Sequence, residues 1–148
     1  MPEWSKVCCA LDLSDSSGVI VGKAASLVRR LQGALTLLHV YEAHAPSPDL
    51  LLERYEHAAP EIEQKLAAHQ REAERVIGGP VRTVILTEGP PAAAIVRFAR
   101  EGSFDLVVTG THADKGLARV LLGSVAQRVV REAPCPVMVV RQAGALQG

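Results

Sequence analysis

Lys6-Val7-Cys8-Cys9-Ala10-Leu11 is a short apolar run that ends on Asp12, and the change of period after it decides the fold. Ser14 to Ser17 supply capping hydroxyls and a carboxylate. Val19, Ile20, Ala24, Leu27, Val28 and Leu31 then recur at helical spacing. Gly33 is read as the stop, and Ala34 to Tyr41 is a second apolar run, rich enough to be buried on both faces. Strand, helix, strand in this order is a βαβ unit, and the rest of the chain repeats it. Glu42 to Arg54, with two prolines and no period, is read as a connecting segment or mobile flap. Glu61 to Ile77 is a polar helix with a thin apolar stripe (Ile62, Leu66, Ala73, Val76) and a Glu61/Lys65 pair. Gly78-Gly79-Pro80 ends it. Val81 to Leu86 is a third strand, and Pro90-Pro91 opens a helix carrying Ile95, Phe98 and Ala99 inward. Leu106 to Thr109, Ser124 to Glu132 and Val137 to Val140 read as strand, helix and strand. Such alternation with short crossovers gives right-handed units and a parallel sheet, an α/β doubly wound domain with helices on both faces. Residues 1–148 form one domain, with Gln142 to Gly148 a frayed tail.

Composition agrees and narrows the functions. A chain of 148 residues can bury a core without staples. With 48% hydrophobic but 3% aromatic residues, that core is built from Ala, Val, Leu and Ile. Basic and acidic residues balance at 16 each, so no electrostatic footprint for nucleic acid or acidic membranes is present. No signal-like opening and no run near ~18 apolar residues is found, so a cytoplasmic protein with no membrane partner is expected. The three cysteines have no ligand-like spacing and read as reduced thiols, with adjacent Cys8 and Cys9 pointing to opposite faces.

In an open α/β sheet, ligands meet the carboxyl ends of the strands. The turn after strand one is Asp12-Leu13-Ser14-Asp15, which is no dinucleotide fingerprint, and neither a P-loop nor a nucleophile elbow occurs. Strand three ends in Leu86-Thr87, which rules out a receiver-like acid cluster. The turn after strand four stands out. It runs Gly110-Thr111-His112-Ala113-Asp114-Lys115-Gly116 to Leu122-Gly123-Ser124-Val125, about a dozen residues where ~2–6 are usual. Leu117 to Leu122 read as a short amphipathic turn. A glycine leaves the strand, and glycine with a hydroxyl opens the next helix, where free backbone N–H groups suit a phosphate. The plainer reading makes Ser124 and Gln127 a capping box and Gly110 a tight turn.

Gly110-Thr111-His112, Leu121-Leu122-Gly123-Ser124-Val125 and Ala133-Pro134-Cys135-Pro136-Val137 resemble the universal stress protein signature. Asp12, His39-Val40 and Gly89-Pro90-Pro91-Ala92 agree with it in order and spacing. The resemblance implies strand order 3-2-1-4-5, a homodimer paired through the last strand, Val137 to Val140, and stress-linked regulation. It also implies an adenine nucleotide, ATP or AMP with or without magnesium. Asp12 would then meet ribose or adenine, and Ala10 and Val40 the adenine by backbone. Gly110, Gly123, Ser124 and Val125 would hold phosphates, with Leu11 and Thr109 clustered beside them. Where the family pattern has its second glycine, this chain has Ala113, followed by Asp114. If that position needs positive φ, alanine costs about 1–2 kcal/mol. Asp114 at ~6 Å from a phosphate adds about 1–3 kcal/mol of repulsion, which Lys115 and Arg119 can offset.

The remaining polar residues have plain roles. His112 faces solvent or phosphate, and His39 is a satisfied polar group near the sheet's end. His44, His57 and His69 share no metal-site spacing, and Cys135 packs. Asp12 caps the next turn or binds ligand. Three functions are open to such a chain: a nucleotide-sensing dimeric regulator, a nucleotide-free protein-interaction module of the same fold, and an ATPase or adenylyl-transferring enzyme. The third lacks a general base or metal-binding acid pair beside the loop.

Overall fold

The computed structural model describes residues 4–42, 44–111 and 122–141. Strands and helices alternate: β1 Lys6–Leu11, α1 Ser17–Leu31, β2 Ala34–Val40, α2 Pro48–Ile77, β3 Arg82–Leu86, α3 Pro91–Glu101, β4 Leu106–Gly110, α4 Ser124–Glu132 and β5 Val137–Val140. They form a five-stranded sheet in the order β3-β2-β1-β4-β5, with every pairing parallel. Both the architecture and the strand order are those expected from the sequence. The order reverses at β1, whose neighbours β2 and β4 lie on either side of it (Cys9 pairs with Leu37 and with Val108). A crevice at the carboxyl ends of these three strands is the consequence.

The period-2 alternation of β1 builds both halves of the core. Cys9 and Leu11 pack with α1 and with Leu66 and Ala73 of α2 on one face. Cys8 and Ala10 pack with Ile95 and Ala99 of α3 and Val129 of α4 on the other. Adjacent thiols thus do point to opposite faces. Each fully buried Leu or Val contributes roughly 1.5–3 kcal/mol, so the strands are fixed in register well below the crevice.

Three local expectations are corrected. The stretch from Glu42 to Arg54 is not all connection, because α2 begins at Pro48. Ser47 is the N-cap, its Oγ accepting from Leu50 N at 3.3 Å, and Pro48 sits where a helix tolerates proline best. Pro60 is inside the helix, and no residue from 48 to 61 is buried. The first half of α2 therefore extends beyond the core. Gly33 does not stop α1 either. Gln32 adopts the left-handed conformation there (φ 54°), whereas Gly33 is needed for close approach: a methyl group on it would lie 2.6 Å from the Ser5 carbonyl oxygen. Lastly, Ser124 is the first residue of α4 and Gly123 its N-cap, with no side-chain cap. Gln127 Nε2 instead donates to the Leu122 carbonyl at 2.6 Å, so the capping box is not formed. The expected short turn at 117–122 and the tail at 142–148 fall outside the described residues, apart from Leu122.

Candidate functional site

A cavity of about 400 Å³ occupies the crevice, within the range of small-molecule sites. Of the residues expected at a site, Ala10, Leu11, Asp12, Val40, Thr109, Gly110 and Val125 all wall it. Gly123 and Ser124 precede Val125 and are not among the wall residues. Ala113, Asp114, Lys115, Arg119 and His112 lie outside the described residues. Sequence reasoning missed several contributors. Ile20 comes from α1, Ile62 from α2, and Pro91 and Ile95 from α3, while Tyr41 and Glu42 follow β2. By periodicity Ile62 and Ile95 are members of apolar stripes. For Ile95 the available signal was its place near the first turn of a helix that faces the crevice; Ile62, in the middle of α2, gave none.

Asp12 is exposed at the end of β1. Its Oδ1 accepts from Ser14 N at 2.9 Å and from the buried Ser17 hydroxyl at 3.4 Å, so it does organise the following turn. Leu13 between them is left-handed at φ 62°, a conformation a non-glycine residue adopts at a cost. Capping and a place at the cavity are compatible for Asp12, since the residue is also part of the cavity wall. Gly110 has a packing reason of its own: a methyl group on it would lie 2.4 Å from Ile20 Cδ1.

The two ends of the cavity differ in chemistry. On the β4–α4 side, the first helical hydrogen bond runs from Gln127 N to Gly123 O at 2.9 Å. The amides of Ser124, Val125 and Ala126 precede it and have no acceptor within the helix. Val125 and Ala126 wall the cavity. Thr111, 3% exposed, is held by Thr111 N to Val140 O at 3.2 Å and Gly123 N to Thr111 O at 2.8 Å. Its Oγ1 is the one sealed side-chain polar atom without a hydrogen-bond partner among the described residues. On the β2–α2 side stand Ile62, Tyr41, the exposed Glu42 and the buried His39, whose Nδ1 lies 2.8 Å from the Leu11 carbonyl oxygen. Nδ1 of His39 is thus satisfied, as expected of a polar group near the sheet's end. The Tyr41 and Tyr55 rings meet edge to face with centroids 5.2 Å apart, tying the first half of α2 to this side.

Among the described residues no group of His, Cys, Asp and Glu could hold a metal ion, and no helix is long and apolar enough to cross a membrane. Burial pushes the Cys8 thiol up to about 12, and Cys9 is raised further by burial. Cys135 is raised by burial and then by Asp105. None of the three carries the enhanced acidity of a reactive thiol.

The chain matches the model of the universal stress protein family over residues 3–141. It is 34% identical over 139 residues to a universal stress protein of Thermus aquaticus, covering 93% of this chain and 99% of that one. Over 57 residues it is 53% identical to universal stress protein MJ0531 of Methanocaldococcus jannaschii, covering 38% of this chain and 34% of that longer protein. In structure it is similar to universal stress protein UspA from Lactobacillus plantarum, with a TM-score of 0.79, 26% identity and coverage of 93% and 98%. The same fold is found in the universal stress protein from Archaeoglobus fulgidus solved in complex with dAMP. There the TM-score is 0.71 and the identity 21%, with coverage of 94% and 98%.

Proposed function

The chain belongs to the universal stress protein family, and we propose that it binds an adenine nucleotide, ATP or AMP, in the crevice as a regulatory module of the stress response. One observation carries the reading: a single cavity is walled both by apolar side chains and by first-turn residues of a helix. A purine needs flat apolar walls, here Ile20, Ile62, Pro91 and Ile95. Phosphate needs N–H donors and the positive end of a helix dipole, here at Val125 and Ala126. Asp12, between them at the end of β1, is placed for a sugar hydroxyl. The dAMP complex of the Archaeoglobus relative supports the reading by analogy.

The protein is further proposed to act as a homodimer. β5 is an edge strand whose Val137, Met138 and Val139 are only half-buried, and an apolar edge invites antiparallel pairing with a second copy. Light scattering at tens of micromolar should give twice the chain mass; a monomer there contradicts the pairing.

A second reading rests on Ala113 and Asp114, which stand where the family pattern has glycine and a small or basic residue. They favour a nucleotide-free interaction module. Mass spectrometry of small molecules released from protein purified without added nucleotide, followed by titration calorimetry with ATP and AMP, with and without magnesium, separates the two. Recovered or titratable nucleotide supports the first reading. Absence of both removes it in favour of the second.

A further inference from the structure

The geometry points to His39 as the residue that selects a 6-aminopurine, by accepting a hydrogen bond from its exocyclic amine at Nε2. This selectivity rests on the proposed nucleotide site and gives a specific part in it to a residue otherwise only structural.

A backbone carbonyl can only accept, so the 2.8 Å contact between His39 Nδ1 and the Leu11 oxygen places the proton on Nδ1. In the neutral ring this leaves Nε2 as a bare acceptor. Among the described residues Nε2 has no hydrogen-bond partner. It is not sealed off either, since the one sealed and unpartnered side-chain atom is Thr111 Oγ1. His39 is 9% exposed and is one of the residues that wall the cavity, with Nε2 taken as the atom that meets it.

The ligand's orientation comes from the two ends. β2 and β4 flank β1, two strand spacings apart, roughly 10 Å. The free first-turn amides are on the β4 side. The Glu42 carboxylate, on the β2 side, repels phosphate from that end. The base therefore lies toward β2 and α2, between Ile62 and Ile20, with His39 at its edge. A buried acceptor there rewards a ligand that brings a donor and rejects one that leaves it unpaired. The amino group of adenine is such a donor.

The test compares AMP with purine riboside 5′-monophosphate, which lacks only the 6-amino group. The native chain should bind AMP at least tenfold more tightly by calorimetry. His39→Asn keeps an N–H in the place of Nδ1 but has no atom at Nε2, and should compress the ratio below threefold. His39→Gln, whose amide oxygen reaches the Nε2 position, should retain most of it. Long-range ¹H–¹⁵N correlation spectra of the unliganded protein should report the Nδ1–H tautomer, whether or not either variant folds. Equal binding of the two nucleotides by the native chain, an unchanged ratio in folded His39→Asn, or the Nε2–H tautomer overturns the assignment while leaving the nucleotide site standing. Failure of both nucleotides to bind overturns the site and the assignment together.

Discussion

At the amino end of the strands, Asp105 Oδ2 takes the Ser5 amide at 3.1 Å, the Ser5 hydroxyl at 3.3 Å and the Lys6 amide at 2.8 Å. The Lys6 ammonium lies 4.8 Å from the centroid of the Phe104 ring and also donates to the Gly102 carbonyl. Donors and acceptors there close on one another. At the carboxyl end Asp12 organises its own turn, yet its surroundings stay open. Helix amides have no intrahelical acceptor, a buried threonine hydroxyl has no partner among the described residues, and about 400 Å³ of space lies between four helices. Both ends belong to the same central strands, with the same core beneath them. Satisfaction of the surrounding polar groups therefore separates the two ends better than residue type or position beside a strand.

The contrast between the ends is most exposed to disproof at the closed one. Asp105→Ala leaves two backbone amides and a hydroxyl without their acceptor. Each unsatisfied group costs about 1–3 kcal/mol where it is not rehydrated, so urea denaturation should show about 2–3 kcal/mol lost. Nucleotide affinity should stay within twofold. A comparable loss of affinity would mean that the two ends are not independent.

A smaller effect, of opposite kind, is expected at the open end. Restoring the family pattern with Ala113→Gly and Asp114→Arg should tighten ATP binding at least tenfold, about 1.4 kcal/mol, with stability changed by under ~0.5 kcal/mol. Unchanged affinity on calorimetry would show that these residues do not stand against the phosphates. Smaller still is Asp12→Asn. The amide oxygen can keep accepting from Ser14 N, so stability should hold, while loss of the charged acceptor weakens AMP binding about three- to tenfold, on the scale of one charge-assisted hydrogen bond. An unchanged binding constant would confine Asp12 to capping.

The fold was legible because β1 and β2 are apolar on both faces and α1 repeats at 3.6 residues, a contrast only parallel α/β layering satisfies. The start of α2 was not. The two prolines between Glu42 and Arg54 read as part of a connection, although Pro48, at the first helical position after Ser47, is a start signal. At the site, residues that directly end strands (Asp12, Val40, Gly110) could be placed from sequence, since strand order fixes where strands end. Ile62 and Ile95 could not, because an apolar helical residue near the crevice looks like one that fills the core. His39 showed a third kind of limit. Its bond to Leu11 satisfies one nitrogen, and only coordinates reveal that bond and the residue's place on the cavity wall.

If nucleotide chemistry belongs to the carboxyl end alone, a titration of the ¹⁵N-labelled chain with ATP, read through amide chemical shifts, will show it residue by residue. Saturable shifts should appear at Ala10, Leu11, Asp12, Val40, Thr109, Gly110 and Val125, with Ser5, Lys6 and Asp105 unmoved. Shifts centred on the amino end, or none anywhere at millimolar ATP and AMP, would refute that division of labour between the two ends.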